Sequence, residues 1–369
     1  ALAAQALNRL VMARKAASED VEVEQRQMVH ICQQVLNRWP ERKETGDVAF
    51  MLITTELDRK NFAAAQEVLT KLSVDNPRRP LAELRMGIAS LQEADVLGRL
   101  EAATPEQLQQ RDERRQQAQE WLTSAFSAST TEITTLHFVG AAALAQVLND
   151  QKRFADTLQL LEQPPLAGLQ RVEQNDPLVA DVNVQTNMIQ SAVIAYMGRM
   201  NEGGDVAATT DRVAGLLTLL QTRLKDHPRA VQILQSYYSL TLRKLREQAA
   251  GNLSDAARQN LTNATVKIFD PIIGPSDDWR LVSILGDTLL GMAESLPATQ
   301  QALRTQTLEA ATRCYEQALK LTAGQAQELD VANFRVMFQV KSAAALRGQA
   351  KFEPANTQLT NLLKANPMK

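Results

Sequence analysis

Few residues in this chain have side chains suited to nucleophilic, metal-binding or acid–base work. Cys32 and Cys314 are the only cysteines, and His30, His137 and His227 the only histidines. His30 and Cys32 form an H-x-C pair, but two positions apart on a helix they point to different sides and do not converge. Two isolated thiols make neither a disulfide framework nor a cysteine zinc site. His137 stands in the apolar run TTLHFVGAAAL and His227 in the helix-ending KDHPRA; both read as structural or solvent-facing. Cys314 adjoins Tyr315 in LEAATRCYEQALKL, where a nucleophile with a partner competes against one packing face of a helix. No cationic cluster accompanies the thiol to lower its pKa, so the packing reading is preferred. H-E-x-x-H, G-x-S-x-G and the phosphate-cradling G-x-x-x-x-G-K-[ST] are all missing from the sequence. NEGGD, with two glycines but no lysine, reads as a plain loop. The expectation is no catalytic residue, no cofactor and no metal.

Candidate partner-binding residues are of two kinds. RDERRQQAQE (111–120) carries both charge signs at helical spacing. It is either a solvated face with local ion pairs or a docking face for an acidic partner through Arg111, Arg114 and Arg115. In SYYS, whichever of Tyr237 and Tyr238 faces outward would line a groove, since exposed tyrosines are favoured interface anchors. The aromatics of NFRVMFQ (Phe334, Phe338) are expected mostly in the core. NLSDAARQNLTNAT holds three glycan acceptor patterns, at Asn252, Asn260 and Asn263; the preferred reading is a polar helix beginning near Ser254.

The elements that must position these residues are helical. The chain has 369 residues, 44% hydrophobic, with only 4% aromatic and 15 glycines. Good helix formers dominate, which predicts an all-α protein. The net charge of −2 comes from interspersed charges of both signs. Nothing advertises nucleic acid as a partner, because phosphate contacts need clustered Lys and Arg. No apolar run approaches the roughly 20 residues of a membrane span, so no transmembrane segment is expected. ALAAQALNRLVMARK reads like the middle of a helix and lacks the layout of a signal peptide. A soluble chain is expected, with the cytoplasm slightly favoured over the periplasm or cell envelope.

Several leucine-rich segments end alike, in NRWP, VDNP, KDHP and KANP, as proline terminates one helix and can begin the next. A second device also recurs: LDRKNFAAA, LNDQKRFADT and LRGQAKFEPA. Each ends a helix on leucine, turns over four or five mostly polar residues, and restarts on phenylalanine. Phe62, Phe154 and Phe352 are expected to face the core of their αα-hairpins. About sixteen helices follow from the periodicity. Among their spans are 131–149, 229–248, 254–269 and 298–321, with Thr104 capping a helix from Pro105. Residues 1–163 and 177–369 are expected as two helical-repeat regions, continuous through a 164–176 linker.

These pairs resemble the tetratricopeptide repeat family, whose roughly 34-residue unit is a helix–turn–helix. Leu52, Ala65, Leu69 and Leu72 carry the resemblance in one pair, and Leu144, Ala145, Leu148, Phe154 and Leu161 in another. Ala311, Tyr315 and Ala318 fall at the family's small–aromatic–small spacing. The last unit gives Ala343, Leu346, Phe352, Ala355 and Leu359. Thr157 stands where the pattern has alanine, and Glu56 falls near a core position. The resemblance implies an α-α superhelix, or solenoid, of stacked hairpins with a concave surface for a protein or peptide partner. The functional expectation is a non-enzymatic scaffold or adaptor. The alternative is the helical-repeat region of a larger enzyme or regulator whose chemistry lies outside this chain. RNA binding is a third, weaker reading.

Overall fold

A computed structural model describes residues 2–40, 42, 44–100, 102–128, 132–200, 206–225, 227, 228, 230, 232–234, 238, 242, 243, 253–273, 278–325 and 329–365. Within them the protein is all-helical, with no strand. The α-helices are α1 (Leu2–Ala16), α2 (Glu22–Arg38), α3 (Thr45–Asp58), α4 (Phe62–Lys71), α5 (Arg79–Gly98), α6 (Pro105–Ser127), α7 (Thr135–Asp150), α8 (Phe154–Glu162) and α9 (Gly168–Glu173). They continue with α10 (Val182–Met200), α11 (Val206–Leu224), α12 (Asp255–Ile273), α13 (Trp279–Ser295), α14 (Gln301–Leu321), α15 (Leu329–Gly348) and α16 (Phe352–Ala365). Most of the 229–248 helix expected from the sequence lies outside the described residues. No helix among the described residues is long and apolar enough to cross a membrane.

The chain divides into two compact units, Ala1–Gln151 with Gln159–Val184, and Lys152–Leu158 with Gln185–Lys369. In the first, each helix packs on its successor from α1 to α7, and alternate helices α3, α5 and α7 lie side by side. In the second, α13, α14, α15 and α16 pack in sequence, and α12 touches α11, α13 and α14. Consecutive pairing plus contact with the next helix but one is the packing of a helical-repeat arrangement.

Small residues set the spacing. Ala65, Ala82, Ala311, Ala318 and Ala355 are fully buried, so neighbouring helices approach closely with leucine and phenylalanine between them. Gly286 on α13 is needed for the closest approach: a Cβ there would sit 3.0 Å from Cys314 Cβ and 3.0 Å from Tyr315 Cε1.

The hairpin turns repeat at the level of the backbone. Lys60, Lys152 and Ala350, each two residues before its phenylalanine, adopt left-handed φ values of 60°, 61° and 62°. In the first and last, the next N–H bonds back across the turn, Asn61 to Glu56 O (2.8 Å) and Lys351 to Leu346 O (2.9 Å). That is the Schellman ending, which satisfies orphan carbonyls at a helix C-terminus. Ser18 and Asn175 end α1 and α9 in the same way.

Four expectations are corrected. Phe62 and Phe154 are buried, but Phe352 is 59% exposed. Among the described residues α16 packs substantially only on α15, which covers Ala355 and leaves the Phe352 edge open. Residues 164–176 are no plain linker: α9 buries Leu169 and Val172, and Arg171 ties it down through Leu166 O (2.9 Å) and Asp176 (2.5 Å). The helix expected to end at 269 runs through Pro271 to Ile273, whose burial holds the last turn. The helix expected from 131 starts at Thr135, because Thr134 is extended.

Candidate functional site

A groove of about 540 Å³ lies along α3 between α2 and α4. Thr45, Ala49, Leu52 and Glu56 form its floor. Their spacing of four, three and four residues puts all of them on one helical face. Glu56 is the one charged group on that face. From α2 come Leu36 and two carboxamides, Gln33 and Asn37. They lie on one face because they are a turn apart. From α4 come Val68 and the exposed pair Glu67–Lys71, 2.6 Å apart. The Lys71 ammonium holds the Glu67 carboxyl below the usual carboxylate range.

Glu56 is the unusual member. It is 3% exposed. Arg59 Nη1 lies 3.3 Å from its Oε2, and Asn61 Nδ2 donates to the same oxygen at 3.1 Å. Oε1 has no donor among the described residues. A nearly buried carboxylate is costly unless its oxygens are fully paired. A 3.3 Å contact is long for a charge-assisted bond, usually about 2.7–2.9 Å. The groove therefore holds unspent acceptor capacity at one end of an apolar and amide-lined trough.

A second cleft, of about 740 Å³, lies at the starts of α3, α5 and α7. Glu44, Asp47, Asp75 and Glu132 make it acidic, with Arg78 donating to Asp47 at 2.5 Å. Carboxylates at helix N-termini are expected there, since they complement the positive end of the helix dipole.

His137, which borders this cleft, is a helix cap. Its Nδ1 accepts the Thr134 backbone N–H at 3.1 Å, which leaves the proton of the neutral ring on Nε2. Burial pulls its pKa below the ordinary histidine value. His30 is exposed, with its Nε2 2.8 Å from Gln34 Nε2. The His227 N–H closes the turn after α11 onto Leu224 O at 2.9 Å. Cys32 is fully buried on the other side of α2 from His30, and burial pushes its thiol up to about 11. It packs with Met28, Val48 and Leu52 as a small apolar residue.

In the second unit Cys314 and Tyr315 are both fully buried. The Tyr315 hydroxyl donates to Asp287 Oδ1 at 2.8 Å, and Lys341 Nζ reaches both Asp287 oxygens at 2.7 Å. The Tyr315 ring stacks with Phe338, centroids 6.5 Å apart. Phe338 is buried, but Phe334 is 42% exposed beside Trp279, 5.2 Å away.

The partner residues expected from the sequence are each accounted for locally, or lie outside the described residues. Tyr237 lies outside the described residues. Tyr238 is 1% exposed, accepts from Gln221 Nε2 at 2.9 Å and meets Phe269 edge-on. It is core and cannot be a docking residue. Each arginine is engaged locally. Arg111 pairs with Asp112 at 2.7 Å. Arg114 lies 4.2 Å over the Phe62 ring. Arg115 stands 3.9 Å from both Asp95 and Asp150. Sequence reasoning missed the groove, although Glu56 had stood out as a charge near a core position.

No protein-family model and no curated protein matches this chain.

Proposed function

We propose that the chain is a non-enzymatic helical-repeat scaffold that binds a protein or peptide partner. We further infer that its hairpins are degenerate tetratricopeptide-type repeats, a reading supported by the left-handed turn that Lys60, Lys152 and Ala350 share. The observation that carries the function is the groove along α3. Its size falls within the roughly 300–1,000 Å³ of ligand pockets. It combines an apolar floor with exposed carboxamides at Gln33 and Asn37, which suit the backbone N–H and C=O groups of a peptide. The residues with reactive side chains have structural work instead. Cys32 stays a protonated, buried thiol and His137 caps α7.

The test is selection of a displayed random-peptide library on the purified chain, with affinities then measured on synthetic peptides. Enrichment of a shared motif with micromolar or tighter affinity is the expected result. Absence of enrichment over a blank support would overturn the reading.

A further inference from the structure

The groove has one charged group on its floor, and that group is incompletely paired. Both partners of Glu56 fall on Oε2, and Arg59 is distant enough to pair weakly. Oε1 has no donor among the described residues and is not sealed off, so the 3% of Glu56 that is exposed opens it to the groove. An apolar group would leave that oxygen without a donor, an anionic one would be repelled, and a neutral N–H would pair only as Asn61 does. A cation would complete it with a charge-assisted bond, the strong kind.

The length of the groove constrains the occupant as well. From Thr45 to Glu56 there are eleven residue-to-residue rises along α3, roughly 16 Å at 1.5 Å each. An extended peptide covers that distance in about five residues. An extended backbone also has unpaired N–H and C=O groups, which the amides of Gln33 and Asn37 can meet; a helical ligand has none to offer along its length.

We propose that this groove binds an extended peptide segment of a partner protein, with one lysine or arginine reaching Glu56 and apolar neighbours lying on Leu36, Ala49 and Val68. The inference rests on the peptide-binding reading above and adds the site and the required side chain. Glu56 is the specificity determinant, because it recognises the cation. Val68 is a wall that a larger residue would push into the groove.

The experiment takes synthetic peptides from the library selection and measures Kd by fluorescence polarisation against the wild-type chain, Glu56→Gln and Val68→Arg. The same peptides are made with the basic residue replaced by norleucine, which keeps the apolar stem and removes the charge. Wild type should lose on the order of tenfold or more on norleucine replacement, as for a desolvated charge pair. Glu56→Gln should lose as much, and the two losses should not add, since they delete one interaction. Val68→Arg should abolish binding of every groove peptide. If peptides bind but neither variant nor norleucine alters Kd, the groove assignment falls and the scaffold reading survives. If no peptide is ever selected, the scaffold reading itself falls. A concentration-dependent dimer that Val68→Arg dissolves would replace the peptide with a second copy of this chain. Val68 also packs against the core, so should either variant fail to fold by circular dichroism, the norleucine arm on the wild-type chain still decides.

Discussion

Glu56 in the first unit and Asp287 in the second are both carboxylates set among packed helices, and they are treated in opposite ways. Asp287 keeps 31% of its side chain exposed, yet both oxygens are taken, by Tyr315 and Lys341. Glu56 is almost fully buried and has partners on one oxygen only. A fold selecting only for stability would saturate the more buried group first, because desolvation costs most there. The Asp287 arrangement is self-contained and holds α13, α14 and α15 in register. The Glu56 arrangement leaves capacity for something outside the fold. Incomplete satisfaction, more than burial or charge alone, separates the candidate site from the scaffold.

The largest expected effect tests the self-contained side. Tyr315→Ala should cost roughly 3–5 kcal/mol in chemical denaturation, because it removes a fully buried ring and leaves a cavity. Tyr315→Phe should cost only about 1 kcal/mol, the net value of the bond to Asp287. If both cost the same, the polar trio and not the packing wedge holds this seam. Gly286→Ala probes the same place from the opposite helix. Its Cβ would be 3.0 Å from Cys314 and Tyr315, and overpacking of this kind costs about 1–3 kcal/mol. An unchanged melting temperature would mean that α13 and α14 can separate freely.

Much of this scaffold was legible in the sequence. Helical periodicity, the Thr104 cap on the helix from Pro105 and the three leucine-to-phenylalanine turns all appear as expected. The small–aromatic–small stripe around Tyr315 is buried as spacing required. Such features are local: cap, turn and face are decided within a few residues. The fate of Phe352 was not legible, since the same turn sequence that buries Phe62 leaves it bare when no further described helix covers it. The helix α9 was hidden because Gly168 and the neighbouring prolines signal a loop, while only Leu169 and Val172 signal packing. The groove was invisible because it is made of three helices whose approach no single segment encodes. Tyr238 misled because aromatic content alone does not say which face is covered.

A pH titration sharpens the contrast within α2, which has a sealed side at Cys32 and an open side at the groove. Burial raises the Cys32 pKa from the 9.0 expected of an exposed thiol to about 11. Below pH 9 the thiol is protonated in both states, and its contribution is fully present. Between pH 9 and about 11 the unfolded chain loses the proton while the folded one keeps it, so stability falls as pH rises. The loss attributable to this group is on the order of 2–3 kcal/mol. Cys32→Ala should flatten that part of the profile. A wild-type profile already flat from pH 9 to 11 would show that the α2–α3 seam admits water.

The smallest expected effect is the most diagnostic, because it is a difference of sign. Asp287→Asn weakens a half-exposed ion pair and should lower stability by up to about 1 kcal/mol, the usual value for such pairs. Glu56→Gln has nearly the same shape as the original and keeps an acceptor for Asn61. It also removes a charge that the free protein pairs incompletely. It should therefore leave stability unchanged or raise it by up to about 1 kcal/mol, as substitutions that neutralise a binding group can. Matched urea titrations of the two variants measure this directly. If Glu56→Gln destabilises as much as Asp287→Asn, then Arg59 and Asn61 already satisfy Glu56 and the carboxylate belongs to the scaffold. If stability rises while affinity for basic peptides drops, the charge is kept for the ligand at the expense of the fold.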